Sequence, residues 1–115
     1  MSVEVYYFST GANKSPVRDF IESLDIRTQT KFFAKKNLLE CYGYKLPEPH
    51  AKHIGDCIFE LRFVGIEGSI RILYFFFHQN QAILTNGFVK KRNKTPRSEI
   101  RIAIERRKVY LESLK

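Results

Sequence analysis

One aromatic-rich stretch in the second half of the chain constrains the fold more than any other feature. Two runs of aromatic and β-branched residues, 57–64 and 69–78, flank the break 65–68, and a third run, 81–90, follows the break 79–80. Runs of this composition, bounded by short breaks with Gly or Asn, are typical of strands joined by tight turns. The stretch therefore predicts three consecutive antiparallel strands.

The length of the first break predicts how the first two strands pair. A four-residue loop at 65–68 places Arg62 directly opposite Arg71. Because like charges at opposed positions destabilise a sheet, a carboxylate between the two arginines is expected, and Glu60 is the candidate. Two arginines in one row are also what a site for a polyanion needs.

The second break predicts the faces of the sheet. A two-residue turn at 79–80 pairs His78 with Gln81, and therefore Arg71 with Phe88 and Leu73 with Asn86. Side chains alternate along each strand, so one face should be core and the other polar. The predicted core face carries Phe59, Leu61, Phe63, Ile70, Ile72, Tyr74, Phe76, Ile83 and Val89. The predicted polar face carries Glu60, Arg62, Arg71, Asn86 and Lys90.

The rest of the chain supplies a strand and three helices. Residues 2–9 alternate like a strand, and helices are expected to start at Ser15-Pro16, at Asp25 and at Thr95-Pro96. Residues 46–50, with two prolines, are expected to be irregular, and residues 51–56 lead into the hairpins. The sequence thus predicts one α+β domain over residues 1–115 with the order β-α-α-β-β-β-α. Two N-terminal helices pack on a mostly antiparallel sheet, and a C-terminal helix follows.

Charge and composition limit the partners. The net charge is +8 and the isoelectric point about 9.7, which favours nucleic acid, an anionic membrane surface or an acidic protein. No run reaches the roughly 18 apolar residues of a membrane span, and residues 1–8 do not resemble a signal peptide. Cys41 and Cys57 lack metal-ligand spacing, so two free thiols in a cytoplasmic protein are expected.

The chemistry present is positive charge beside aromatic side chains. No Gly-rich phosphate loop and no Gly-x-Ser-x-Gly motif occur, and His50 and His53 lack partners at metal spacing. The basic residues at the end of the third strand are Lys90, Lys91, Arg92 and Lys94. Together with Arg62, Arg71 and Phe88 they suit a single-stranded RNA, whose phosphates bind arginine forks and whose bases stack on aromatic rings. The alternative is a solvated loop, with the arginines paired to Glu60 and Glu67.

Five short segments together carry a resemblance to a known family. They are, in chain order, 58–63 (IFELRF), 70–75 (IRILYF), 87–91 (GFVKK), 94–96 (KTP) and 99–100 (EI). Their order and spacing resemble the phage-derived toxin branch of the RelE/HigB family, the toxins of type II toxin–antitoxin modules. The resemblance covers nearly the whole chain.

This resemblance implies a RelE-like fold and a cytoplasmic endoribonuclease that cuts mRNA in the ribosomal A site. The RNA 2′-hydroxyl attacks the adjacent phosphate and leaves a 2′,3′-cyclic phosphate and a 5′-hydroxyl, so neither a metal nor another cofactor is expected. A helix-turn-helix antitoxin of the HigA type is the implied partner, in a toxin–antitoxin hetero-oligomer.

The residue types present can supply this chemistry. Arg62 and Arg71 are the candidates for stabilising the anionic transition state. Lys90, Lys91 and Lys94 are candidates for holding the phosphate or transferring a proton, with His53 as a further acid or base. Predicted RNA contacts are Phe88, Arg92, Arg97 and Tyr110, the last by analogy with a C-terminal tyrosine in some relatives.

Two other function classes remain open. A ParE-like relative with this fold acts on DNA gyrase without cutting RNA, and gyrase blockage with DNA breakage would identify it. A basic module that binds an acidic protein would bind neither RNA nor ribosomes and would not be toxic.

Overall fold

The computed structural model describes residues 2–78 and 80–114, and within them it confirms the predicted α+β class. The strands are β1 (Glu4–Tyr7), β2 (Ala51–Gly55), β3 (Ile58–Gly65), β4 (Gly68–Phe77) and β5 (Gln81–Lys90). The helices are α1 (Pro16–Glu22), α2 (Ile26–Tyr42) and α3 (Arg97–Glu112), with a single 3₁₀ turn, Gly43–Lys45, after α2. The five strands form one sheet in the order β1-β5-β4-β3-β2, in which only the β1–β5 pair is parallel.

The prediction missed β2, which makes the element order β-α-α-β-β-β-β-α. This edge strand pairs with β3, placing Lys52 opposite Glu60. Its turn into β3 uses two non-glycine residues with positive φ, Asp56 at 53° and Cys57 at 65°. The left-handed conformation is uncommon for such residues, and a short, polar edge strand shows little alternation, so neither feature marks a hairpin in the sequence.

The predicted pairing of β3 with β4 is confirmed, and that of β4 with β5 is confirmed as far as Leu73–Asn86. Arg62 lies opposite Arg71, and Arg71 lies opposite Phe88. The pairing of His78 with Gln81 is wrong, because Gln81 lies opposite Phe77. The register shifts by one residue beyond the Leu73–Asn86 pair.

A β-bulge at Thr85 causes this shift. Tyr74 pairs with Leu84, so Thr85 is the extra residue of β5. Its hydroxyl donates to the Leu73 carbonyl at 3.1 Å, and its own carbonyl accepts a 2.7 Å hydrogen bond from Arg106 of α3. The polar groups of the bulge are therefore satisfied, as burial requires.

Helices cover both faces of the sheet. The α1 and α2 side buries Leu61, Phe63, Ile70, Ile72, Tyr74, Ala82 and Leu84. The α3 side buries Ile58, Leu73, Phe75, Ile83 and Phe88. Because of the bulge, Ile83 lies on the α3 side and not on its predicted core face. The predicted polar face is apolar except at one end, where the charged residues lie. Burial on both faces explains why residues 72–77 read as a continuous apolar run.

The helix starts are confirmed at α1 and α2 but differ at α3. Ser15 accepts a hydrogen bond from the Arg18 amide at 3.2 Å, and Asp25 accepts one from the Arg27 amide at 2.9 Å. At α3 the N-cap position is Pro96, which makes no side-chain cap. The Thr95 hydroxyl instead donates to the carboxylate of Glu60. None of the described helices is long and apolar enough to cross a membrane.

We expect Gly87→Ala to destabilise the protein, because β5 packs closely against α1 at this position. A Cβ atom there would lie 2.6 Å from Phe20 Cδ2 and 2.7 Å from Ile72 Cδ1. Overpacking of this kind costs about 1–3 kcal/mol, measurable as a lower urea midpoint. Gly11→Ala is the control, since no atom lies within 4 Å of its new Cβ. Equal midpoints for the two variants would contradict the packing.

Candidate functional site

The structure brings four of the predicted site residues into one cleft at the polar end of the sheet. This basic cleft has a volume of about 380 Å³. Its lining residues are Lys52, His53, Ile54, Arg62, Lys90, Asn93, Lys94, Thr95 and Ile100. His53, Arg62, Lys90 and Lys94 were predicted from the sequence. They come from β2, β3, β5 and the loop before α3, so only the folded sheet assembles them.

Beneath the cleft, a buried carboxylate joins the two opposed arginines. Glu60 is fully buried. The Arg62 Nε donates to its Oε1 at 2.9 Å, and the Arg71 Nε lies 3.3 Å from the same oxygen. This confirms the expected carboxylate between the arginines. One negative charge shared by two guanidinium groups leaves a net positive charge at the base of the cleft.

Glu60 also attaches the loop between β5 and α3, residues 91–96, to the sheet. We call this segment the basic loop. The Thr95 hydroxyl donates to the other oxygen of Glu60. Thr95 directly follows Lys94, and α3 begins two residues later, at Arg97. At the start of α3, the Asn86 amide donates to the Glu99 carboxylate at 2.9 Å and to its backbone carbonyl at 3.2 Å. The loop that carries Lys94 is thus attached to the sheet just after Lys94, at Thr95 and at the start of α3.

Both arginines keep part of their surface in contact with solvent. The Arg62 side chain is 23% exposed and the Arg71 side chain 12%. Arg71 NH1 donates to its neighbouring Ile70 carbonyl at 3.1 Å, and Arg62 NH1 lies 3.7 Å from Oε1 of the exposed Glu48. Arg62 is oriented by its hydrogen bond to Glu60, whereas the buried Arg71 Nε has no hydrogen-bond partner within the described residues. Two guanidinium groups beside one carboxylate are suited to stabilising further negative charge.

Burial and neighbouring charge lower the pKa of two basic groups. Burial lowers the pKa of Lys90 first, and the positive charges of Arg71, Arg62 and Lys52 lower it further against the opposing pull of Glu60. Burial also lowers the pKa of Arg71, which Glu60 partly offsets. Arginine stays charged in proteins, whereas a lysine with a lowered pKa can exchange a proton. Lys90 therefore suits proton transfer and Arg71 suits charge stabilisation.

The remaining predicted residues lie outside the basic cleft. Arg71 lines a neighbouring cavity on the other side of Arg62. The exposed residues Lys91, Arg92 and Arg97 do not line the cleft.

Two predicted aromatic contacts belong to the core on the α3 side. Phe88 is only 9% exposed and is part of that core, which leaves its ring little surface for a base. The Tyr110 ring packs 5.6 Å from the rings of Phe75 and Phe77. These two rings lie further along β4, about 13 Å and about 20 Å from Arg71. Neither ring lines the cleft.

Sequence reasoning missed Lys52, Asn93 and Thr95 as cleft residues. Lys52 lies on β2, opposite Glu60 of β3, so a prediction that included β2 would have identified Lys52 as a cleft residue. Thr95 was assigned to a helix cap, and no sequence signal distinguishes the two uses of its hydroxyl. Within residues 2–78 and 80–114, His, Cys, Asp and Glu form no cluster that could hold a metal ion. Cys41 and Cys57 are free and exposed.

Comparison with protein families matches most of the chain. A family model described as "Phage derived protein Gp49-like (DUF891)" matches residues 19–108, which include every residue of the basic cleft. The chain belongs to the phage-derived Gp49-like family. This is a family of RelE/HigB-like toxins, so membership is consistent with the toxin of a toxin–antitoxin module and suggests an antitoxin partner. No curated protein matches the chain.

Proposed function

We propose that this Gp49-like chain is a cytoplasmic endoribonuclease that cleaves mRNA in the ribosomal A site. The observation that carries the proposal is the basic cleft, where Lys90 lies beside the Arg62–Glu60–Arg71 cluster in a chain of a toxin family. A helix-turn-helix antitoxin of the HigA type would neutralise it. Single-stranded RNA, which leaves its phosphates accessible, suits a cleft of this size and charge.

The reaction proposed is an internal phosphoryl transfer. The RNA 2′-oxygen loses its proton and forms a bond to the adjacent phosphorus, while the bond from phosphorus to the 5′-oxygen breaks and that oxygen gains a proton. The products are a 2′,3′-cyclic phosphate and a 5′-hydroxyl. The protein must therefore move two protons and stabilise an anionic phosphorane.

The residues of the cleft and the adjoining Arg71 divide these roles. Arg62, in the cleft, and Arg71, in the neighbouring cavity, lie beside Glu60 and stabilise the charge of the phosphorane. Lys90, with its lowered pKa, takes the 2′-proton, and Lys94 binds the scissile phosphate. Lys94 can also donate a proton to the 5′-oxygen, with His53 of the same cleft as a further candidate.

The test of function is expression of the wild-type chain in bacteria, followed by mapping of mRNA 5′ ends. We expect growth arrest and new in-frame cuts. The new ends should be ligated only after treatment with polynucleotide kinase, because they carry a 5′-hydroxyl. Arrest with DNA breaks but no RNA cuts would identify a gyrase-directed toxin. Neither arrest nor cuts would favour a basic binding module.

We expect Lys90→Arg to separate charge from proton transfer. Arginine keeps the positive charge but does not lose a proton near neutral pH, so RNA binding should persist while the rate falls about 10²–10⁴-fold. The wild-type rate should rise with pH up to the Lys90 pKa, which lies below the ordinary lysine value, and the variant should lose this rise. Single-turnover cleavage rates between pH 6 and 10 measure the fall in rate and the change in its pH dependence.

Lys45→Arg, in the 3₁₀ turn after α2, is the control and should keep the wild-type profile. A wild-type rate that falls across this range would give Lys90 the role of the acid instead. An unchanged rate and profile in Lys90→Arg would remove Lys90 from proton transfer.

A further inference from the structure

A second cavity meets the basic cleft at Arg62. This flanking groove, of about 570 Å³, lies between α2 and the ends of β3 and β4. Lys31 and Lys35 of α2 form one wall, and Arg62, Ser69 and Arg71 form the other. Because Arg62 lines both cavities, the cleft and the groove adjoin at this residue.

The two lysines of the groove carry charge that no carboxylate neutralises. Lys31 Nζ donates to the Val64 carbonyl at 2.9 Å, and Lys35 Nζ lies 2.7 Å from Nδ1 of His50. In the described part of the chain, neither lysine has a carboxylate within 4 Å. Their neighbour Lys36, by contrast, pairs with Glu40 at 3.3 Å.

The positive charges around the groove repel one another and destabilise this part of the fold. Lys31 and Lys35 are four residues apart on α2, so they lie on the same face of the helix and repel each other. The opposite wall adds two arginines that share the buried Glu60, with the exposed Glu48 3.7 Å from Arg62. An anionic ligand between the walls would relieve this repulsion.

The hydrogen-bonding groups of the groove select the kind of anion. All four cationic side chains are donors only, and Ser69 supplies the one side-chain hydroxyl among the lining residues. A peptide would bring its own N–H donors, which need acceptors. The phosphate groups of RNA only accept hydrogen bonds, so they match this surface better.

We propose that the flanking groove binds the RNA backbone next to the cleaved phosphate, with Lys31 and Lys35 on a neighbouring phosphate. This subsite rests on the proposed function and extends it, because it gives the substrate a path of two adjoining cavities. Through Lys31 and Lys35 it adds affinity for RNA without touching the reacting atoms.

The test compares two double variants with the same net charge. Lys31→Gln with Lys35→Gln removes the groove lysines, and Lys36→Gln with Lys45→Gln removes two lysines that do not line it. The probe is a fluorescent 12-nucleotide 2′-O-methyl RNA, which lacks the attacking hydroxyl and is not cleaved. Binding is measured by anisotropy from 50 to 200 mM salt, free and on 70S ribosomes, and circular dichroism checks the fold.

We expect the groove variant to bind the RNA about tenfold more weakly at 50 mM salt. Its salt slope should become shallower by about 0.7 for each phosphate that the protein no longer neutralises, while the control variant matches the wild type. Equal binding by the two double variants would overturn the subsite and leave the proposed function intact. Wild-type protein that binds neither free RNA nor RNA on ribosomes would overturn both.

A further probe separates RNA from an acidic protein. Labelled poly-glutamate is titrated against the same variants. Loss of its binding in the groove variant, with RNA binding unchanged, would assign the groove to an acidic peptide and overturn the proposal.

Discussion

Replacing Arg71 by alanine should lower the rate of RNA cleavage by about 10²–10³-fold, the effect of removing one preorganised donor to an oxyanion. The Arg71 Nε lies 3.3 Å from Glu60 and its side chain is nearly buried, so the alanine variant loses a donor that the fold positions. The chain should stay folded, because Glu60 keeps its hydrogen bonds to Arg62 and Thr95. Cleavage of ribosome-bound mRNA and thermal unfolding measure the two effects.

Arg106→Ala is the matched control for this prediction. Arg106 is also a half-buried arginine whose pKa burial lowers, and it donates to the Thr85 carbonyl at 2.7 Å. It does not line the cleft or the flanking groove. We expect Arg106→Ala to lower the unfolding temperature about as much as Arg71→Ala does, while the rate of cleavage stays unchanged. If Arg71→Ala unfolds the chain, Arg71 has a structural role. If the folded variant cleaves at the wild-type rate, Arg71 takes no part in cleavage.

The charge-conserving variant Arg71→Lys distinguishes the guanidinium fork from simple positive charge. Lysine offers a single point charge and lacks the planar pair of donors that matches phosphate oxygens. We expect a cleavage rate between those of the wild type and of Arg71→Ala. A rate equal to the wild type would mean that charge alone suffices.

Replacing Glu60 by glutamine should cost about 3 kcal/mol of unfolding free energy, the scale for breaking a buried ion pair by removing one partner. The change leaves Arg62 and Arg71 opposed without a carboxylate, and it weakens the acceptor for Thr95. The basic loop and both arginines should then lose their fixed positions, so cleavage should fall as well. Urea unfolding measures the free energy.

Glu48→Gln is the control, because Glu48 also lies near Arg62 but is 63% exposed and 3.7 Å away. An exposed pair contributes at most about 1 kcal/mol. We therefore expect a small change in stability and little change in cleavage. Equal costs for Glu48→Gln and Glu60→Gln would show that the buried position of Glu60 does not matter.

Local patterns were enough to predict the centre of the sheet and its charged row. The four-residue break at 65–68 and the alternation on both sides of it fix the pairing of Arg62 with Arg71, and the need to offset two like charges identified Glu60. Helix starts at Ser15 and Asp25 also follow from neighbouring residues alone. Each of these predictions depends on contacts between residues that are close in sequence or joined by one short turn.

The bulge at Thr85 and the strand β2 depended on the tertiary structure. Both faces of β4 and β5 are buried, so a one-residue shift moves apolar side chains from one core to the other. The sequence is apolar in either register, so its hydrophobic pattern does not predict the shift. The edge strand β2 gains its stability from pairing with β3, which its own polar residues do not reveal.

The tertiary structure also decided which side chains come together in the site. The sequence determined which residue types are available: a row of arginines, a basic loop and a neighbouring carboxylate. Only the fold decided that Thr95 binds Glu60, that Phe88 and Tyr110 pack in the core, and that Lys52, Lys31 and Lys35 approach Arg62. These positions come from elements far apart in the chain, and the burial and charge of the assembled cluster, not local propensity, determine what each side chain contacts.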